Sequence, residues 1–189
     1  MSKIRTFVAI DLPQDVKRTI SKLITKLQPY ANNVRWVETE NLHLTLVFLG
    51  DVEDRNVHAA CRAVSRVCEA IEPFQISLES IGTFPKPNKP RVLWVGIKQG
   101  SQEMIDLREA IANKLDEAGF QFDWKFNPHV TIGRFGRARF EDHELVAKLV
   151  DFEKEQFGQC MINEVVVNSS TLESGAPIHI RLSTAELMG

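Results

Sequence analysis

Residues Ile4 to Leu12 are dense in β-branched, aromatic and aliphatic side chains. The run ends at Asp11-Leu-Pro13, which predicts a first strand and then a helix with its proline near the opening turn. Val16, Ile20, Leu23, Ile24 and Leu27 recur at three- and four-residue steps, the spacing of one helix face. Val34 to Val37 reads as a short strand and Leu42 to Gly50 as a longer one. A second helical stripe runs through Val57, Ala60, Cys61, Val64, Val67, Cys68 and Ile71. A third, through Met104, Leu107, Ile111 and Leu115, ends at Gly119, a residue suited to the left-handed cap. Phe74 to Phe84 and Arg91 to Lys98 predict two strands separated by Pro85-Lys-Pro-Asn-Lys-Pro90, whose prolines cannot join a ladder; this reads as an exposed loop carrying Lys86 and Lys89. His129 to Phe135 reads as a strand, followed by a loop with Arg137 and Arg139. A fourth helix over residues 141–157 and strands over 160–168 and 178–182 complete the pattern.

Several strands follow one another through short links, which disfavours a purely parallel sheet and predicts an α+β fold with mainly antiparallel sheets. The 189 residues suit one domain spanning 1–189, or two small lobes sharing a core. No apolar stretch approaches the roughly 18 residues of a membrane span, so no membrane partner is expected. Twenty-three basic against 25 acidic side chains leave a net charge of -2, which limits any nucleic-acid contact to a local one. Three cysteines with no C-x-x-C pair fit a reducing, cytoplasmic setting, and the second helical stripe accounts for Cys61 and Cys68 without chemistry.

The strongest chemical signal is a tetrapeptide that occurs twice, His43-Leu-Thr-Leu46 and His129-Val-Thr-Ile132. Chance gives two such matches in about one shuffled chain in a thousand. Alternation along a strand sends His43 and Thr45 to one face and Leu44 and Leu46 to the other, and the second copy repeats this. An imidazole and a hydroxyl on one face converge on a small anion such as a phosphate. In-line displacement at phosphorus needs a proton removed on one side and supplied on the other, which two facing motifs provide. No ligand spacing for a metal, no Gly-rich phosphate loop and no dinucleotide fingerprint is visible, so neither metal nor cofactor is expected.

With these motifs stand Arg5-Thr-Phe-Val-Ala-Ile-Asp-Leu-Pro13, Glu40-Asn-Leu-His-Leu-Thr-Leu-Val-Phe-Leu-Gly50, Arg91-Val-Leu-Trp-Val-Gly96 and Pro128-His-Val-Thr-Ile-Gly-Arg134. Together they resemble the two-histidine (2H) phosphoesterases, most closely the RNA 2',3'-cyclic phosphodiesterases also called 2'-5' RNA ligases. The resemblance implies a bilobal fold with two sheets, outer helices, a pseudo-two-fold axis and one cleft between the lobes. It implies opening of a 2',3'-cyclic phosphate, on an RNA end or a small cyclic nucleotide, to a 2'-phosphate. It makes His43 the proton donor and His129 the proton acceptor, with Thr45, Thr131 and Arg134 on the phosphate. Strict alternation from His129 puts Arg134 on the wrong face, and Gly133 is where a bulge would re-aim it. The family's closing glycine, tyrosine and leucine correspond to Gly175, His179 and Leu182, with histidine replacing tyrosine.

Two other readings stand beside hydrolysis: a nucleotide- or RNA-binding module without turnover, and ATP-independent 2'-5' RNA ligation. Retention of both histidines and both threonines favours the enzyme. His58, His143 and His179 read as structural, and Phe48, Trp36, Trp94 and Trp124 as core residues of which one or two are available to stack on a base. No obligate protein partner is expected, and the chain reads as a monomer.

Overall fold

The computed structural model describes residues 2–31, 33–85, 89–136, 143–173 and 176–189; Lys86, Arg137, Arg139 and Gly175 lie outside the described residues. The strands are β1 (Lys3–Asp11), β2 (Val34–Trp36), β3 (His43–Glu53), β4 (Phe74–Phe84), β5 (Val92–Ile97), β6 (His129–Phe135), β7 (Gln156–Ile162), β8 (Glu164–Glu173) and β9 (Ala176–Glu186). The helices are α1 (Gln14–Leu27), α2 (Asp54–Cys68), α3 (Ser101–Glu117) and α4 (His143–Lys148). The sheet runs β7-β4-β5-β6-β3-β1-β8-β9 with β2 added on β6, and every pairing is antiparallel.

The expected two sheets meet at one place. β3 and β6 share a single paired position, Leu44 opposite Val130, so the four-strand wings are halves of one nine-stranded sheet. Read outward from that pair, β3-β1-β8-β9 mirrors β6-β5-β4-β7, and β1-α1-β3 corresponds to β5-α3-β6. Leu44 and Val130 are both fully buried in one continuous core with Ile20, Leu27, Leu107 and Ile111 of α1 and α3. Burying each such side chain contributes roughly 1.5 to 3 kcal/mol.

Each wing also buries one cation. Lys17 on α1 is 3% exposed and donates to the Glu40 carbonyl at 3.1 Å, while its ammonium meets Asp11 at 2.6 Å. Arg108 on α3 is 2% exposed and donates to the Asp123 carbonyl at 2.7 Å, with Phe122, Trp124 and Phe126 around its guanidinium. Glu40 and Asp123 both lie on the segments that lead into the two histidine motifs.

The expected fourth helix is shorter. α4 ends at Lys148, a 3-10 turn covers Leu149–Phe152, and β7 begins at Gln156. Phe157, at the expected end of that helix, instead lies at a bulge in β7: Leu78 pairs with Gly158 and Glu79 with Gln156, leaving Phe157 between them. The strand expected over 160–168 is also two strands, broken at Asn163, because β7 and β8 belong to opposite wings and both bury apolar residues. Gly119, at φ +85°, takes the left-handed conformation expected after α3.

Candidate active site

The face of the sheet opposite the core forms a cleft of about 230 Å³, with His43, Thr45, His129, Thr131 and Arg134 all on its wall. All five site residues read from the sequence are therefore brought together. Leu44, Leu46, Val130 and Ile132 turn the other way and are buried, as alternation requires.

Arg134 reaches the cleft through a bulge. Trp94 pairs with Thr131 and Leu93 with Gly133, so Ile132 has no partner on β5 and side-chain parity shifts by one residue. Gly133 permits this locally: a Cβ there would lie 2.7 Å from Val34 Cγ1 and 3.3 Å from Trp36 Cε3. β3 does the same after its own motif. Ala9 pairs with Thr45 and Val8 with Val47, which leaves Leu46 unpaired and turns Phe48 into the cleft. Phe48 and Arg134 thus occupy equivalent positions, five residues after each histidine. Phe48 is 46% exposed, and the Arg5 guanidinium, also on the cleft wall, sits 4.9 Å from its ring centre. Of the four aromatics considered from sequence, Phe48 lines this cleft, whereas Trp94 stacks on Phe84 and Trp124 packs with Phe122 and Arg108.

Both imidazoles are held in the same tautomer. His43 Nδ1–H donates to the Asn41 carbonyl at 2.7 Å and His129 Nδ1–H to the Asn127 carbonyl at 2.6 Å, since a carbonyl only accepts. In each neutral ring the Nε2 lone pair is therefore free, and that of His43 accepts the Thr45 hydroxyl at 3.0 Å. The asparagine two residues upstream is a repeat that the four-residue reading missed; the repeated pattern is Asn-x-His-x-Thr-x.

Burial lowers the pKa of His43 from the ordinary 6.5 to about 4, with the Asn41 carbonyl and Asp11 opposing the fall and His179 and Lys17 adding to it. Burial also lowers His129, opposed by the Asn127 carbonyl and reinforced by Arg134. The fixed charges acting on the two rings thus differ: at His43 the Asp11 carboxylate and its ion-pair partner Lys17 oppose each other, whereas at His129 the Arg134 guanidinium acts alone. His179, read from sequence as structural, is on the cleft wall, and burial lowers its pKa too. His58 is exposed on α2. Among the described residues, no group of three or more His, Cys, Asp or Glu side chains gathers to hold a metal ion, and no helix is long and apolar enough to cross a membrane.

A half-sheet repeated about a pseudo-two-fold axis, with one His-x-Thr strand from each half under a shared cleft, is the build of a two-histidine phosphoesterase. A sequence profile of the 2'-5' RNA ligase superfamily matches residues 13–171, and the chain belongs to that superfamily. An RNA 2',3'-cyclic phosphodiesterase of Archaeoglobus fulgidus is 34% identical over 182 residues, covering 96% of this chain and 99% of its own. One from Thermotoga maritima is 32% identical over 185 residues, covering 98% and 96%. Among solved structures, TT0787 of Thermus thermophilus shares the fold with a TM-score of 0.82 at 24% identity, over 98% of this chain and 99% of that one. Escherichia coli LigT complexed with 3'-AMP does so with a TM-score of 0.77 at 24% identity over the full length of both.

Proposed function

We infer that this protein hydrolyses 2',3'-cyclic phosphodiester ends of RNA, or small cyclic nucleotides, to 2'-phosphomonoesters by acid/base catalysis between two histidines. The observation that carries the reading is the pair of Nδ1-tethered imidazoles, one from each wing, with their Nε2 atoms available in a cleft that also holds two threonine hydroxyls and Arg134. The curated relatives named as RNA 2',3'-cyclic phosphodiesterases over nearly the whole chain support the same reaction.

The charge asymmetry favours His129 as proton acceptor. Arg134 beside it disfavours the imidazolium, so its Nε2 stays a base able to take a proton from water attacking phosphorus. His43 is the donor to the departing 3'-oxygen. Asp11 favours its protonated form, and the anionic phosphodiester adds to that effect when it enters the cleft. Thr45 and Thr131 hold non-bridging oxygens, and Arg134 neutralises charge that develops on the phosphoryl group. Phe48 offers a face for the base on the His43 side, opposite Arg134, which sets the direction of the substrate across the cleft. The expected compartment is the cytoplasm, and the expected working unit is the monomer.

The test is turnover of an oligonucleotide ending in a 2',3'-cyclic phosphate, with 2'- and 3'-phosphate products resolved, with and without EDTA. A 2'-phosphate product formed at an unchanged rate in EDTA is expected. A 3'-phosphate product, or complete loss in chelator restored by zinc or manganese, overturns the mechanism. Binding without any turnover favours the binding-module reading.

A further inference from the structure

His179 takes no part in the chemistry above, yet it lies against the residue that does. Its ring centre is 5.4 Å from that of His43 with the rings at 88°, and 4.9 Å from that of Phe7 at 74°. Phe7 and His43 are 5.1 Å apart and tilted at 33°, so the three rings form a closed cluster in which both contacts of His179 are edge-to-face. Two hydrogen bonds already hold His43 at its nitrogens, from Nδ1 to the Asn41 carbonyl and between Nε2 and the Thr45 hydroxyl. When Nε2 gives up the Thr45 contact to meet a substrate oxygen, one tether remains and the ring is free to rock about it. The edge of His179 and the ring of Phe7 oppose that rocking.

His179 itself is placed by the fold rather than by a polar anchor. Its backbone is paired with Ser170 in the β8–β9 ladder, and its Nδ1 is buried with no hydrogen-bond partner. A ring serving only to fill space would have no need of titratable nitrogens beside a proton donor, and a tyrosine is the residue that the family resemblance leads one to expect here.

We propose that His179 is a positioning residue for His43: its ring holds the His43 imidazole edge-on, and the two imidazoles share the cleft so that one of them at a time carries a proton. This rests on the reading of His43 as the proton donor. Asp11 on β1 also faces this pair, but Lys17 at 2.6 Å and Arg181 at 3.0 Å compensate its carboxylate, and Arg181 is shared with Glu164 of β8 at 3.5 Å. Arg5, on the same wing as the pair, and Arg134, on the other wing with His129, also line the cleft, and the two guanidiniums disfavour a second positive charge there. With ring centres 5.4 Å apart, a proton on His179 disfavours one on His43, so the two rings compete for the proton that arrives with an anionic substrate.

The experiment compares His179→Phe, which keeps a ring and removes the proton, with His179→Ala, which removes both. NMR titration of the His43 ring in the free protein is followed from about pH 2.5 to 8, and turnover of the cyclic phosphate is measured over the part of that range in which the protein stays folded. In His179→Phe, the His43 titration is expected to become a single step moved up by roughly half a pH unit, with kcat within about three-fold of the parent. His179→Ala is expected to show a further ten-fold or greater loss of kcat with little change in KM. His43 titrating identically in the parent and in His179→Phe overturns the sharing of the proton; equal kcat in the Phe and Ala variants overturns the positioning role. The titration needs no substrate. A shifted titration in a protein without turnover leaves the ring pair standing and removes the phosphodiesterase reading.

Discussion

At the scale of single residues, a backbone carbonyl two positions upstream of each cleft histidine decides which ring nitrogen meets the substrate. The Asn41 and Asn127 carbonyls accept the Nδ1–H hydrogen bonds, which leaves the Nε2 lone pairs for the cleft. His43→Ala and His129→Ala are each expected to lower turnover by about 10² to 10⁴-fold with thermal melting little changed, because each removes one proton-transfer partner. The double variant should fall by less than the product of the two losses, since the pair works as a unit. Burial holds both imidazoles below 6.5 in the free protein, with His43 at about 4. The bell in kcat/KM, which reports the free enzyme, should therefore centre on the acid side of 6.5. The bell in kcat should lie higher, because a bound phosphate raises both groups. Coincident bells in a steady-state pH series would contradict the burial argument. His43, Thr45, His129 and Thr131 were legible because His-x-Thr alternation is a property of the chain itself, whereas Arg134 came from the family resemblance. Phe48 and His179 were not, because an isolated aromatic or histidine carries no mark of the face it will occupy.

At the scale of elements, two matched bulges and two buried cations build the site. Each bulge inserts one core-facing residue after the His-x-Thr strand, and on β6 this turns Arg134 into the cleft. Gly133→Ala forces a Cβ against Val34 and is expected to cost about 1 to 3 kcal/mol in a denaturant melt, with a loss of turnover in the folded fraction as Arg134 is displaced. Alternation alone pointed Arg134 the wrong way, and only the glycine hinted at the correction. The helix read over residues 141–157 failed for a different reason: of its apolar positions, Leu149 and Phe152 are buried from a 3-10 turn and Phe157 from a strand, which the spacing alone does not distinguish. Lys17 and Arg108 were invisible among the other charges in their helices, because what distinguishes them is a distant carbonyl acceptor. Arg108 has one such acceptor and three aromatic rings around it. Arg108→Met should cost less than about 2 kcal/mol in stability, since it also removes a buried charge, yet lower kcat by loosening the approach to His129. Paired denaturant melts and kinetics on the same variant test both halves of that expectation.

At the scale of the whole molecule, acid and salt are the two levers. An unfolded chain binds a proton at His43 near pH 6.5, whereas the folded one resists it down to about 4. The contribution of this residue is fully present above 6.5 and is lost as pH falls towards 4, by about 3 kcal/mol at most. His43→Gln should therefore lose less stability than the parent between pH 7 and pH 4.5 in urea melts. With a net charge of -2 and Arg5 and Arg134 on the cleft wall, RNA binding should depend weakly on salt, with a log-log slope of magnitude about 1 to 3. A slope of 6 or more would reveal an extended RNA track.

The lone Leu44–Val130 pair makes the cleft floor a fulcrum. Were one wing to rock on the other, each group would travel in proportion to its distance from that point. His43 and His129 sit one residue away along their strands, so they move least, while Arg5, four strand positions out from the β1 residue opposite Thr45, sweeps a longer arc. Such rocking would widen the mouth while the span between the two imidazoles stayed nearly constant. Leverage of that kind would separate the geometry at the cleft floor from access at its mouth.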